Sequence, residues 1–332
     1  MKKDRVMRPN IARMMTLAAA LALAMPAHAQ NGTDNYPSRP IRMIVPLSPG
    51  TTTDLVARTI GDAVSRELEQ PVIVENKQGA GGTLAAKVAA MAAPDGYTIL
   101  MVNSQHSINP AVYQNLPYDT LKDFAGLALV AQAPSAVIVS PKLGVTTLKE
   151  FIAFAKQHPD TINYASSGIG SQTHLAGAYF ASQAGISMVH VPYRDSSQVI
   201  ADLLAGRVQA SFVPLAFVLG QVQEGKLLAL AVTSRDGIQT PINAPSVSEA
   251  ALPGYEYNTW FGFLAPAKVP PAILERLSKA LQDAANTAEV KEKLSGSAIF
   301  PQTLTLREFD DFIKADVDKQ KQIANGARIE AH

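Results

Sequence analysis

Apolar and polar positions along this chain switch repeatedly between a period of two and a period near 3.6. The run from Ile41 to Val45 is apolar and partly β-branched, and predicts a strand. From Thr53 to about Leu68, the residues Leu55, Val56, Ile60, Val64 and Leu68 fall on one side of a helix, with an Asp54/Arg58 pair at i, i+4 expected on its surface. Val72 to Val74 returns to the strand pattern. Further strands are expected at Thr98 to Val102, Ala136 to Val139, Ile162 to Tyr164, Met188 to Val191, Ala210 to Val213 and Leu228 to Val232, each ahead of a turn and usually of a helix. Such alternation marks a parallel sheet wrapped by helices, an α/β fold. The proline-rich stretch from Pro241 to Pro253 reads as a connection. After it the pattern is read as helical: Pro270 and Pro271 open a helix to about Ala285, and Leu306 to about Lys321 forms another. Thr147 with Glu150, and Thr305 with Glu308, are capping boxes, in which a hydroxyl and a carboxylate three residues on satisfy each other's exposed amides.

The N-terminal pattern is of another kind. Lys2, Lys3, Arg5, Arg8 and Arg13 precede an apolar run from Met14 to Met25, and Ala27-His28-Ala29 supplies an A-x-A cleavage site. Residues 1–29 are therefore expected to be a cleaved signal peptide, and the mature chain to begin at Gln30. The apolar run falls short of the roughly 20 residues a membrane span needs. The chain has no cysteine, which leaves no disulfide, no thiolate metal ligand and no acylated N-terminal cysteine. The expected product is a soluble, periplasmic protein.

Charge removes two classes of partner. The leader holds five bases and one acid, so the mature chain carries 24 Lys and Arg against 27 Asp and Glu, a net charge of −3. That surface does not favour nucleic acid or membrane insertion. Aromatic residues at 6% disfavour a stacking platform for sugars or bases. A mature chain of about 300 residues divides naturally into two lobes.

The segments best suited to chemistry are two loops of small residues. Residues 46–54, Pro-Leu-Ser-Pro-Gly-Thr-Thr-Thr-Asp, lie between a strand and a helix start. Such a turn presents several unpaired backbone amides at the positive end of the helix dipole, where a carboxylate could dock. The same segment also reads as an ordinary turn capped by a threonine. A second loop, residues 166–174, brings Ser167, Gly170, Ser171 and Gln172 to the carboxyl end of a strand, where ligands bind in doubly wound folds. It is no nucleotide motif, because Thr173 stands where a third glycine belongs. Gly79-Ala80-Gly81-Gly82 lacks the Gly-Lys-Ser/Thr ending of a phosphate loop and reads as the turn before a helix at about Thr83. There is no G-x-S-x-G, S-x-x-K or H-E-x-x-H motif. His106, His158, His174, His190 and His332 show no metal-ligand spacing. His106 and His174 fall in candidate cleft loops, where a hydrogen-bonded structural role and ligand contact both stand open.

Many short segments, in order, resemble one family. They include Tyr36-Pro37-Ser38-Arg39-Pro40-Ile41-Arg42, Val45-Pro46 with Pro49-Gly50 and Asp54, Val74-Glu75-Asn76 with Gly79-Ala80-Gly81-Gly82, and Ala93-Pro94-Asp95-Gly96-Tyr97. They continue with Leu116-Pro117-Tyr118, Asp123-Phe124, Ser166-Ser167-Gly168, His190-Val191-Pro192-Tyr193, Leu230-Ala231-Val232-Thr233, Leu252-Pro253-Gly254-Tyr255 and Trp260-Phe261-Gly262. Across nearly the whole mature chain the sequence resembles the Bug family, the substrate-binding components of tripartite tricarboxylate transporters. The resemblance implies a two-lobed Venus-flytrap fold of type II, each lobe a doubly wound sheet. Lobe 1 is residues 30–132 plus 251–332 and lobe 2 is residues 133–250, with crossings near 132 and near 250. It also implies a monomer that captures a small di-, tricarboxylate or aromatic acid through the loops at Ser48 to Thr52 and Ser167 to Gln172, with Asn103 and Ser104 completing the first-lobe side. No metal or organic cofactor is implied, and the partners are the carboxylate and transporter membrane subunits.

Departures from the family pattern bear on the ligand. Relatives commonly have Gly-Gly where this chain has Gly50-Thr51, and Val-Pro-Tyr-Lys-Gly where it reads Val191-Pro192-Tyr193-Arg194-Asp195. Asp195 either caps the next helix or faces the cleft as part of the ligand site. Relatives often carry Asp or Asn after the position of Phe212, where Val213 and Pro214 stand. An apolar wall there leaves no acidic partner for an ammonium group, so non-aminated acids are expected to bind better than amino acids. A ligand-presenting partner of a sensor kinase would use the same pocket. A periplasmic hydrolase would need a nucleophile and base that the spacing does not reveal, and an enzyme is not expected.

Overall fold

Ile41–Val45 forms β1, and all of it but the half-buried Arg42 is buried. Burial on both faces explains why its sequence is nearly continuously apolar rather than alternating. In this computed structural model, which describes residues 35–194, 196–234 and 240–329, β1 lies parallel between β2 (Val72–Asn76) and β3 (Thr98–Asn103). The expected leader with its expected cleavage site, Asp195 and His332 lie outside the described residues. From Pro37 onward the chain forms one compact unit. No helix of the described residues is long and apolar enough to cross a membrane.

One strand organises the rest. β4 (Phe124–Val139) pairs antiparallel over residues 124–134 with β9 (Asn258–Pro266), and with β10 (Phe300–Thr305) on its other side. Over residues 135–139 it pairs instead with β7 (Ala210–Pro214) and β8 (Leu228–Val232). β7 continues in parallel to β5 (Asn163–Ser166), and β5 to β6 (Val189–Pro192). Two twisted sheets thus share β4, and β9 closes the first sheet against β3. The chain crosses between sheets along β4 and returns before β9. The two crossing segments are bonded to each other: Ser135 N–H donates to Thr233 Oγ1 (2.8 Å), Thr233 N–H to the Ser135 carbonyl (2.9 Å), and Tyr257 N–H to the Thr233 carbonyl (3.2 Å).

Helices cover both faces of the second sheet, and the alternation of β4 shows it. Val137 and Val139 join a core with Phe151, Phe180 and Phe212, while Ala136 and Ile138 join another with Val199, Leu203 and Val218. Each such fully buried large side chain contributes about 1.5–3 kcal/mol. The first core gathers Ile44, Leu100, Leu129, Trp260 and Phe309.

Several expectations change. β4 runs twelve residues further toward the N-terminus than the strand at Ala136 to Val139 that its pattern predicts, because the alanine- and glycine-rich stretch 124–135 becomes a strand only by being buried between β9 and β10. β9 and β10 have no counterpart among the predicted strands, and β10 falls where the pattern reads as helix. Within the proline-rich connection, Ser246 and Glu249 form a third capping box on a four-residue helix, Val247–Ala250. The C-terminal helix α11 (Leu306–Gly326) packs on both sides of the crossings. Its Asp316 accepts from Trp260 Nε1 (2.7 Å), and its Lys319 ammonium lies 5.0 Å from the Tyr179 ring centroid and 5.4 Å from that of Tyr257.

Candidate functional site

The carboxyl ends of β1 and β3 from one sheet, and of β5, β6 and β7 from the other, open onto a single cavity of about 1120 Å³. That is at or just above the roughly 300–1,000 Å³ usual for small-molecule clefts.

On the first-sheet side the cavity meets the start of α1 (Thr52–Glu67). Thr51 caps it: its Oγ1 accepts from Asp54 N–H (3.4 Å) and donates to the Ser48 carbonyl (2.9 Å). Asp54 is not on the surface as its i, i+4 spacing to Arg58 suggests; it is 4% exposed. Its carboxylate accepts from Gly50 N–H (2.9 Å), Arg58 Nε (3.0 Å) and Asn76 Nδ2 (2.8 Å). Burial pushes its pKa up, but these donors outweigh burial and hold it below the usual carboxylate range. The protein's own anion thus occupies the Gly50 amide. The amides of Thr52 and Thr53, at the cavity wall, have no hydrogen-bond partner among the described residues. Ser48 lies outside the wall, donating its hydroxyl to Gln78.

Asn103 and Ser104 close β3 and line the cavity. Asn103 Nδ2 donates to Thr53 Oγ1 (2.9 Å), and Ser104 Oγ accepts from Trp260 N–H (2.9 Å), so both side chains hold neighbouring elements in place.

The second-sheet loop has the same design. Ser171 caps α5 (Gln172–Ala184), accepting from His174 N–H (3.2 Å) and donating to the Gly168 carbonyl (2.7 Å). Ser167 N–H donates to Thr173 Oγ1 (2.9 Å). Ser167, Ser171 and Gln172 line the cavity, and the amides of Gln172 and Thr173 have no partner among the described residues. Gly170 does not line it. Its amide donates to His174 Nδ1 (3.2 Å), its φ of +72° favours glycine, and a Cβ there would come within 3.1 Å of Val112 on α3 (Gln105–Val112). Its carbonyl accepts from Gln105 Nε2 across the cleft at 3.1 Å.

Beneath this loop the rings of Tyr164, His174 and His190 pack together. His190 Nε2 and Ser166 Oγ are 2.6 Å apart. Burial lowers both histidines to about 4, with their mutual repulsion adding for His174. His106 is also lowered to about 4 by burial, and stacks on Tyr118. The histidines of the candidate cleft are neutral, and His174 has the structural bond to the loop.

Arg194 is the one formally charged side chain among the described lining residues, so no described acid lines the cavity. Beside it Val213, Pro214 and the 39% exposed Phe217 form an apolar wall. Among the described residues no group of three or more histidines and acids could hold a metal ion. Sequence reasoning missed Gln105, Arg194 and Phe217. Arg194 stands one residue from Asp195 in a motif already singled out, whereas nothing in the local pattern distinguishes Phe217 from core.

A family model described as the tripartite tricarboxylate transporter family receptor matches residues 56–328. A Pseudomonas sp. (strain P51) protein, named for the tcbD-tcbE intergenic region, is 32% identical over 97% of this chain and 97% of its own. Among solved structures, that of R. palustris Rpa4515 with adipate has a TM-score of 0.79 at 28% identity, covering 90% of this chain and all of that one. The periplasmic binding protein BugD has a TM-score of 0.76 at 29% identity, covering 90% and 100%.

Proposed function

The chain belongs to the family of tripartite tricarboxylate transporter receptors, and we propose that it captures a small organic carboxylate in the periplasm and presents it to a membrane transporter. One observation carries the reading. Two helix N-termini, from two sheets, bring four amides without a partner among the described residues, those of Thr52, Thr53, Gln172 and Thr173, to the wall of one cavity whose only charged described lining residue is a cation. Each helix terminus favours an anion by about 0.3–1 kcal/mol when exposed and up to about 2 kcal/mol when partly buried. Closing the cleft removes water and strengthens both interactions. Ser48, Gly50, Thr51, Asn103, Ser104, Ser171 and Gly170 act in this scheme by shaping the two loops, and Thr52, Ser167 and Gln172 by facing the ligand.

The lobes of this receptor are residues 30–132 with 251–332, and residues 133–250, with the bonded segments around Ser135 and Thr233 as the hinge. The acid-free wall at Val213 and Pro214 makes the ligand a non-aminated acid, since an ammonium group there finds no carboxylate. The adipate held by the similar R. palustris protein supports this class.

Calorimetry of ligand-stripped protein against succinate, adipate, benzoate and aspartate tests the reading. Micromolar or tighter binding of at least one non-aminated acid is expected. Tighter binding of aspartate than of succinate overturns the exclusion of amino acids, and no binding of any acid overturns the receptor reading.

A further inference from the structure

We infer that Arg194 is the specificity-determining residue of the cleft: its guanidinium takes a second anionic group, so the protein selects dianions over monoanions with the same apolar body. The inference rests on the receptor reading above and narrows it. Arg194 follows β6, which neighbours β5 in the second sheet. Its backbone is therefore about one strand spacing, ~4.8 Å, to the side of the loop that begins at Ser167. A ligand whose first carboxylate sits on the loop amides has its far end within reach of the long Arg194 side chain.

Among the described residues nothing already claims that charge. Arg194 makes no hydrogen bond or ion pair among the described residues. Asp202, the acid of the helix that follows, is committed to Arg207 Nη1 and to Tyr193 Oη, each at 2.7 Å. No described acid lines the cavity. The cavity wall also carries the apolar Val199, Val213 and Phe217, and Phe217 is 39% exposed. An unpaired cation beyond an uncovered apolar surface is complementary to a dicarboxylate with a hydrocarbon or aromatic spacer. A monoacid leaves the guanidinium without a partner, and a short hydroxylated diacid leaves the apolar wall wet.

Matched pairs of probes separate the charge from the body: adipate with hexanoate, and terephthalate with benzoate, measured by calorimetry on the mature protein at low ionic strength. The expected result is that the better-fitting dianion binds at least about tenfold more tightly than its monoanion, the scale of one charge-assisted hydrogen bond. R194Q is expected to weaken the dianion at least about tenfold more than the monoanion, collapsing that ratio. R194K is expected to keep part of it, as a point charge lacking the planar fork. Arg194 is exposed, so neither variant should disturb folding, which circular dichroism checks. Equal binding of both members of each pair by the wild type overturns the inference while leaving the receptor reading standing. So does equal weakening of both by R194Q, or a dianion preference that appears only in D195N. No binding by any probe overturns both.

Discussion

The imidazole rings of His174 and His190 lie face to face, 3.6 Å between centroids and 9° from parallel, directly under the loop that supplies half of the candidate site. His174 Nδ1 accepts the Gly170 amide, so it carries no proton in the folded state. In the unfolded chain both rings titrate near 6.5, whereas in the fold burial holds both, and His106, at about 4. Between those values the unfolded state binds more protons. The histidines' contribution to stability is therefore full above about pH 6.5, falls as the pH drops toward 4, and levels off below it. Urea midpoints taken from pH 7.5 to pH 3.5 should show this decline. In a His174→Gln, His190→Gln variant the decline should be shallower, and an unchanged slope would count against the assignment.

Asp54 is expected to be worth more than a cap. Removing its carboxylate in Asp54→Ala leaves the Gly50 amide and Asn76 without their shared acceptor, at a cost of about 1–3 kcal/mol. Denaturant unfolding measures the loss. Because the same loop presents Thr52 and Thr53, carboxylate affinity should fall as well.

The Gln105 bond to the Gly170 carbonyl crosses from one sheet's helix to the other sheet's loop. Gln105→Ala removes a net contribution of about 0.5–1.5 kcal/mol to the closed arrangement. Small-angle scattering should give the ligand-free variant a larger radius of gyration than the wild type, with the difference vanishing at saturating ligand. Identical radii without ligand would show that the bond does not bias closure.

Gly262 in β9 lets Phe309 of α11 lie flat on the sheet; an added Cβ would collide with that ring and come within 2.9 Å of the Ala128 carbonyl. Gly262→Ala should cost on the order of 1–3 kcal/mol by overpacking. Thr147→Ala, by contrast, removes only an exposed cap and should cost about 1 kcal/mol. Thermal unfolding of the pair ranks them, and the reverse order would contradict the packing described.

Local pattern determined much of this protein. The buried strands β1, β3 and β7 are legible because burial on both faces favours nearly continuous apolar residues. The capping boxes at Thr147 and Thr305 are legible because their two partners are three residues apart. The two small-residue loops are legible because a turn between strand and helix must expose amides whatever surrounds it.

Tertiary structure decided what those loops can hold. Asp54 and Arg58 look like a surface pair by spacing, but Asn76 from β2, together with the Gly50 amide of the same loop, makes Asp54 a buried anion. Gly170 looks like a ligand contact by composition, yet Val112 and Gln105 of a helix more than fifty residues away claim its surface and its carbonyl. β9 and β10 are strands because β4 lies between them, a partnership no local window contains. Arg194 gains its place in the cleft because β6 pairs with β5, and the described acid of the following helix, Asp202, is spent on Arg207. Local signals record what a segment can form; which polar groups remain unpaired at the end is set by contacts distant in sequence, and those unpaired groups make the site.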